Sequence, residues 1–112
     1  MDCIYLGACG SCALNISYEE QKQLKTTKIK ELFSKFWDGE FEFFDSDESG
    51  FRSRAEFGIW HENNDISYCM RSQQNTKLPI QSCQIVDNKI SNIMPYLLKT
   101  IKRYFVFFLI PY

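Results

Sequence analysis

The chain contains no apolar run long enough to cross a bilayer. The longest, Tyr104 to Tyr112, is about half the required length. Met1-Asp2-Cys3 supplies neither the basic stretch nor the apolar stretch of a secretory signal, so a cytoplasmic setting with reduced thiols is expected. Excess charge is missing too. A formal net charge of −1 excludes a strongly basic nucleic-acid arm and gives no reason to expect DNA, although segregated charges still permit a locally basic surface. No internal repeat is visible, and no glycine-rich strand–loop–helix for a phosphate or adenosine is found. What remains is a single small domain, with 45% apolar and 16% aromatic residues to build a core.

Against this background, four of the five cysteines form a spaced set. Cys3, Cys9 and Cys12 read C-x5-C-x2-C, and Cys83 follows far downstream. Three thiols in so short a loop, interrupted by Gly7 and Gly10, are not a packing device. A sulfur-bound metal centre needs this arrangement, with the backbone curling so that the thiolates converge and a remote fourth ligand closing the site. Three ligands from one loop and one from elsewhere is the layout of a [4Fe–4S] cluster. Zinc usually takes two close pairs, and only Cys9/Cys12 is one. The metal-free alternatives are a redox pair at Cys9/Cys12, which lacks room for a preceding strand, and a disulfide framework, which needs an oxidising compartment. Cys69, the fifth thiol, reads as a buried mid-strand cysteine.

The periodicity predicts an α+β domain: cysteine loop, helix, antiparallel hairpin-based sheet and C-terminal amphipathic helix. Ser17-Tyr18-Glu19-Glu20 is a capping box opening a helix from Tyr18 to Phe36, with Ile29, Leu32, Phe33 and Phe36 on its apolar face, joined by Tyr18. Lys22, Lys25, Lys28, Lys30 and Lys35 are expected on the solvated side. A short strand is expected over Glu40–Phe44 and a long one over Phe51–His61. In the latter, Phe51, Ala55, Phe57 and Ile59 point one way and Arg52, Arg54, Glu56 and Trp60 the other. Glu62 to Asp65 should turn into a return strand, Ile66–Met70, and Ile80–Ile85 should be a further strand carrying Cys83. A last helix, Asn88–Lys102, has the stripe Ile90, Ile93, Met94, Leu97, Leu98 and Ile101, with Pro95 either kinking it or delaying its start. The domain is expected over residues 1–103. Residues 104–112 form an apolar tail that does not read as a domain's designed end.

These motifs, in this order, resemble the N-terminal part of the S-adenosylmethionine-dependent RNA uracil-5-methyltransferases. The family's C-x5-C-G-x-C loop is matched by Cys3, Cys9, Gly10 and Cys12, and its Tyr-x-x-Gln-x-x-x-Lys helix by Tyr18, Gln21 and Lys25. Its aromatic-Arg-x-Arg-Ala strand is matched by Phe51, Arg52, Arg54 and Ala55. Its later cysteine and Met-Pro helix are matched by Cys83, Met94 and Pro95. The segment from Arg52 to His61 is similar to the branch that methylates tRNA in the T-loop, and the cysteine loop to the ribosomal-RNA branch.

The resemblance implies a cluster on Cys3, Cys9, Cys12 and Cys83. It also implies RNA, tRNA first and ribosomal RNA as the alternative, gripped by Arg52 and Arg54 on phosphates with Phe51 and Trp60 as stacking rings. The bland reading of the arginines is pairing with Glu40, Glu42 or Glu56 across the sheet. Family members bind S-adenosylmethionine, and carry their nucleophilic cysteine and general-base glutamate, in a C-terminal domain with no counterpart in this sequence. A fragment unable to methylate alone is therefore expected. From a different class, a stand-alone iron–sulfur or zinc module for binding or electron transfer is the alternative.

Overall fold

A computed structural model describes residues 2–108, the last four as backbone only. The order is a cysteine loop, α1 (Tyr18–Leu32), β1 (Gly58–Glu62), β2 (Asp65–Arg71), β3 (Lys77–Ile80) and α2 (Asn88–Phe108). The three strands form one antiparallel sheet in the order β1-β2-β3, so the α+β class is as expected.

α1 opens as its sequence dictates. The Ser17 side chain accepts from the Glu20 N–H at 3.2 Å, and the Glu20 carboxylate accepts from the Ser17 N–H at 2.9 Å. Beyond Leu32 the chain leaves the helix, short of the expected Phe36. The expected apolar face is also not the buried one: Leu32 is 70% and Phe36 83% exposed, and no residue of α1 is buried. Of the expected face only Tyr18 is half-buried, in a stripe completed by Gln21, Lys22 and Thr26 at helical spacing. Polar contacts explain the choice. The Tyr18 hydroxyl accepts from the Ser46 N–H, and Lys22 binds Asp45 at 3.0 Å while lying over the Phe43 ring. Lys22 is thus not on the solvated face assigned to it.

The β1–β2 hairpin turns at Asn63 and Asn64, with φ of 52° and 64°. Positive φ at both central residues is the primed two-residue turn that matches strand twist, and asparagine tolerates it. Three expected strands fall short. Glu40–Phe44 has no ladder partner and is irregular. The long strand is reduced to Gly58–Glu62, because the segment before it runs beside residues 85–87 instead of beside β2. There Arg52 donates its N–H to Ile85 and accepts from Asp87, in a parallel bridge to Val86. Ile80–Ile85 is not a strand either; β3 ends at Ile80 and contains Pro79, which an edge strand accommodates because its missing N–H faces away from the ladder.

Asp87 caps α2 through its side chain, accepting from the Lys89 and Ile90 N–H groups. The helix passes through Pro95 and continues to Phe108, past the expected end at Lys102 and into the segment read as a tail. Its start at Asn88 excludes a late beginning. Residues 109–112 of that segment lie outside the described ones.

The core is small: Tyr68, Ile80, Val86 and Met94, with Tyr5, Phe57, Cys83 and Leu98 packed against it. Tyr68 is 3% exposed and donates its hydroxyl to the Met94 carbonyl at 2.6 Å, tying β2 to α2. Burial raises its pKa, and a hydrogen bond from the Leu98 N–H opposes that rise. Among the described residues, no helix is long and apolar enough to cross a membrane.

A candidate thiol-lined centre between two grooves

The cysteine loop is folded back on itself and fastened to the sheet. Ala8 and Cys9 donate to the Tyr5 carbonyl, and the Tyr5 hydroxyl accepts from the Gln81 N–H at 2.8 Å. Gly10 donates to the Arg71 carbonyl, Gln73 donates to the Ala8 carbonyl, and Cys9 bridges Ser72. Glycine at position 10 eases this close approach. A Cβ would stand 3.0 Å from the carbonyl oxygens of Arg71 and Ser72, which are backbone and cannot swing aside.

This fastening brings Cys3, Cys9, Cys12 and Cys83 onto one cavity, closed by apolar side chains that include Leu6, Met70, Ile80 and Ile85. All four are half-buried free thiols. The Cys12 pKa is pushed up, first by burial and then by Cys9, Cys83 and Cys3, with Arg52 acting against them. Tyr5, Ser11, Ser82 and Gln84 line the cavity beside the four sulfurs, and among the described residues no carboxylate or imidazole does. Among the described residues, no three cysteine, histidine or carboxylate side chains have the arrangement of ligands around a single metal ion.

Two open grooves flank the loop, sharing Ser11 and Ala13. The first, about 890 Å³, lies between the loop, the start of α1 and residues 46–52; Tyr18, Gln21, Lys25, Phe51 and Arg52 line it. Its charge is mixed, because Glu20, Asp47 and Glu48 line it as well. Arg52 donates to the Ser11 hydroxyl at 3.2 Å, which joins the groove to the thiol cavity. Phe51 is half exposed. The second groove, about 1050 Å³, runs along the sheet on the other side of the loop and includes Trp60.

The four expected RNA contacts thus do not share a surface. Phe51 and Arg52 face the first groove and Trp60 the second. Arg54 lines neither and pairs with Glu56 at 3.3 Å, both side chains more than four-fifths exposed. That pair follows the bland reading, and at such exposure it contributes little to stability. The Arg52–Ser11 link was not foreseen, since it joins segments that only the fold brings together. Cys69 lies in β2 opposite Gly58, where an added Cβ would come 2.7 Å from its sulfur. Its role is packing.

Comparison with known proteins agrees with this placement of motifs. A family model described as tRNA (Uracil-5-)-methyltransferase matches residues 17–107. A tRNA/tmRNA (uracil-C(5))-methyltransferase of Campylobacter hominis is 44% identical over 103 residues, covering 92% of this chain and 29% of the relative. That of Campylobacter concisus is 48% identical over 103 residues, covering 91% and 28%, and that of Nautilia profundicola 42% over 107 residues, covering 92% and 29%. The chain spans less than a third of the length of these curated relatives. With most of its length inside the family model, the chain belongs to the tRNA (uracil-5-)-methyltransferase family.

Proposed function

We propose that this chain is the cluster-bearing, RNA-gripping N-terminal part of an RNA uracil-5-methyltransferase acting on tRNA, and that it transfers no methyl group by itself. One observation carries the reading: thiols from the two ends of the sequence line a single cavity, and the arginine hydrogen-bonded to that loop faces an open groove. The names of the relatives supply the reaction and the RNA.

Cys3, Cys9, Cys12 and Cys83 would hold a [4Fe–4S] cluster, which when bound would offset the thiolates' charge and cross-link the N-terminal loop to the chain after β3. Three ligands from one loop and a remote fourth favour the cluster over zinc, which usually takes two close pairs. Held this way, the loop keeps the Ser11 hydroxyl against Arg52, so the guanidinium is aimed along the groove. Arg52 then contacts phosphate, with the half-exposed Phe51 beside it as a surface for an unstacked base. A uracil in an RNA loop must leave its stack before C5 can be alkylated, and a domain gripping the loop contributes binding energy to that step.

The test uses the 112-residue chain, reconstituted anaerobically with iron and sulfide. About four irons and four sulfides per chain are expected, with visible absorbance that Cys83→Ser abolishes. A T-arm stem-loop RNA should bind and Arg52→Glu should weaken it, while S-adenosylmethionine plus that RNA yields no methylated uridine. Zinc without iron or sulfide would refute the cofactor assignment. A loaded chain with no affinity for the stem-loop would refute the RNA role.

A further inference from the structure

The sheet has two unlike faces. Antiparallel pairing puts Ile59, Tyr68 and Ile80 in one row, with Ile66 and Met70 on the same side, and that side packs on α2 and the core. Gly58, Cys69 and Pro79 form a row on the opposite side, with Trp60 and Ser67 beyond one end and Arg71 and Lys77 beyond the other. No residue of this second face is buried, and Arg71 and Lys77 are exposed.

Arg71 and Lys77 stand directly opposite each other in the β2–β3 register. Like charges in that position oppose folding. Neither has a carboxylate partner among the described residues. Arg71 donates to the Asn75 carbonyl, and the Lys77 ammonium sits 3.5 Å from the centroid of the Trp60 ring. The nearby carboxylates are engaged elsewhere: Glu56 with Arg54, Glu62 with the Trp60 indole N–H at 3.2 Å, and Asp65 with Lys102. Two cations and an indole are therefore gathered on an open sheet face, at a cost to folding that an anion would remove. The groove they line is bounded by Gly10 and Ser11 of the cysteine loop.

We infer that this face is a second nucleic-acid contact. The phosphates of an RNA strand are taken by Arg71 and Lys77, with the indole of Trp60 beside them for an exposed base. The inference rests on the RNA-binding reading above and extends it to a surface on the far side of the cysteine loop from Arg52. The chemistry is that of single-strand recognition, in which backbone charge is neutralised and ring faces are offered to bases of any sequence. An RNA stem-loop held by both surfaces would straddle the thiol-bearing loop.

The experiment compares the cluster-loaded chain with Arg71→Gln/Lys77→Gln and, separately, with Arg52→Glu, using the same stem-loop RNA over a salt series. The double variant should lose roughly tenfold in affinity, and its salt slope should fall by about 1.4, two phosphate contacts' worth. Its melting temperature should stay the same or rise, because a like-charge pair has been removed. Photo-crosslinking of the unaltered chain should label the peptide 71–77, a readout needing no variant. If Arg52→Glu weakens binding while Arg71→Gln/Lys77→Gln leaves affinity and slope unchanged, the second contact is wrong and the first stands. Absence of crosslinks to residues 71–77 in an RNA-bound chain also overturns it. If the unaltered chain binds no RNA, both readings fall.

Discussion

Tyr68→Phe isolates one hydrogen bond. The ring is kept, with its tilted contact to Phe57 at 5.8 Å, and only the hydroxyl is removed from a residue that is 3% exposed. That hydroxyl donates to the Met94 carbonyl at 2.6 Å, one residue before Pro95 of α2. Two outcomes bound the magnitude. If the Met94 carbonyl keeps another donor, the variant loses a net hydrogen bond, about 1 kcal/mol; if that carbonyl is left buried without one, the loss approaches about 3 kcal/mol. For a domain of this size the lower figure already lowers the melting temperature by about 4 °C or more. Calorimetry or a far-ultraviolet melt at neutral pH reads it directly.

The pH dependence supplies a second check. Burial raises the Tyr68 pKa, so the neutral hydroxyl's contribution is complete below the unfolded tyrosine value. It is lost as pH rises through the folded value, so the gap between the original chain and Tyr68→Phe should narrow above a pH of about 10. A melting temperature within about 1 °C of the original at neutral pH would refute the claim that this bond holds α2 to the sheet.

Further outcomes are expected elsewhere. Ser17→Ala should cost about 1 kcal/mol and reduce helical signal, since α1 relies on its capping box and buries nothing. The Ser17 N–H, and then its side chain, hold the Glu20 carboxyl below the usual range. Its contribution is present above the unfolded value and lost as pH falls; Ser17→Ala keeps the backbone donor, so the acid limb of a stability–pH curve should be flattened only in part. Gly58→Ala should destabilise by about 1–3 kcal/mol through the Cβ contact with the Cys69 sulfur, and adding Cys69→Ala should restore most of that. A double variant no more stable than Gly58→Ala would mean the clash is not the cause.

What could be read before folding was local or a matter of count. The capping box at Ser17, the Asn63-Asn64 turn and the inward Ile90, Met94 and Leu98 of α2 are set by neighbours within a few positions, whereas Ile93 and Leu97 of the same expected stripe are exposed. The gathering of Cys3, Cys9, Cys12 and Cys83 was legible because soft ligands at that spacing have few other uses. The stripe Ile29, Leu32, Phe33 and Phe36 misled. A period of 3.6 says which residues share a side, and Asp45 and Ser46, distant in sequence, decided which side turns inward. Alternation from Phe51 to His61 misled similarly, since half of that segment bonds to residues 85–87 and only the rest pairs with β2.

Sequence alone therefore determined the fold class and the kinship, both of which depend on residue type and order. Tertiary structure alone decided that Arg52 meets Ser11, that Trp60 faces away from Phe51, and that Arg71 stands across from Lys77. Strand register and loop docking set these three relations. Both are settled by backbone hydrogen bonds between distant segments, and a one-residue slip in register would carry each side chain to the opposite face.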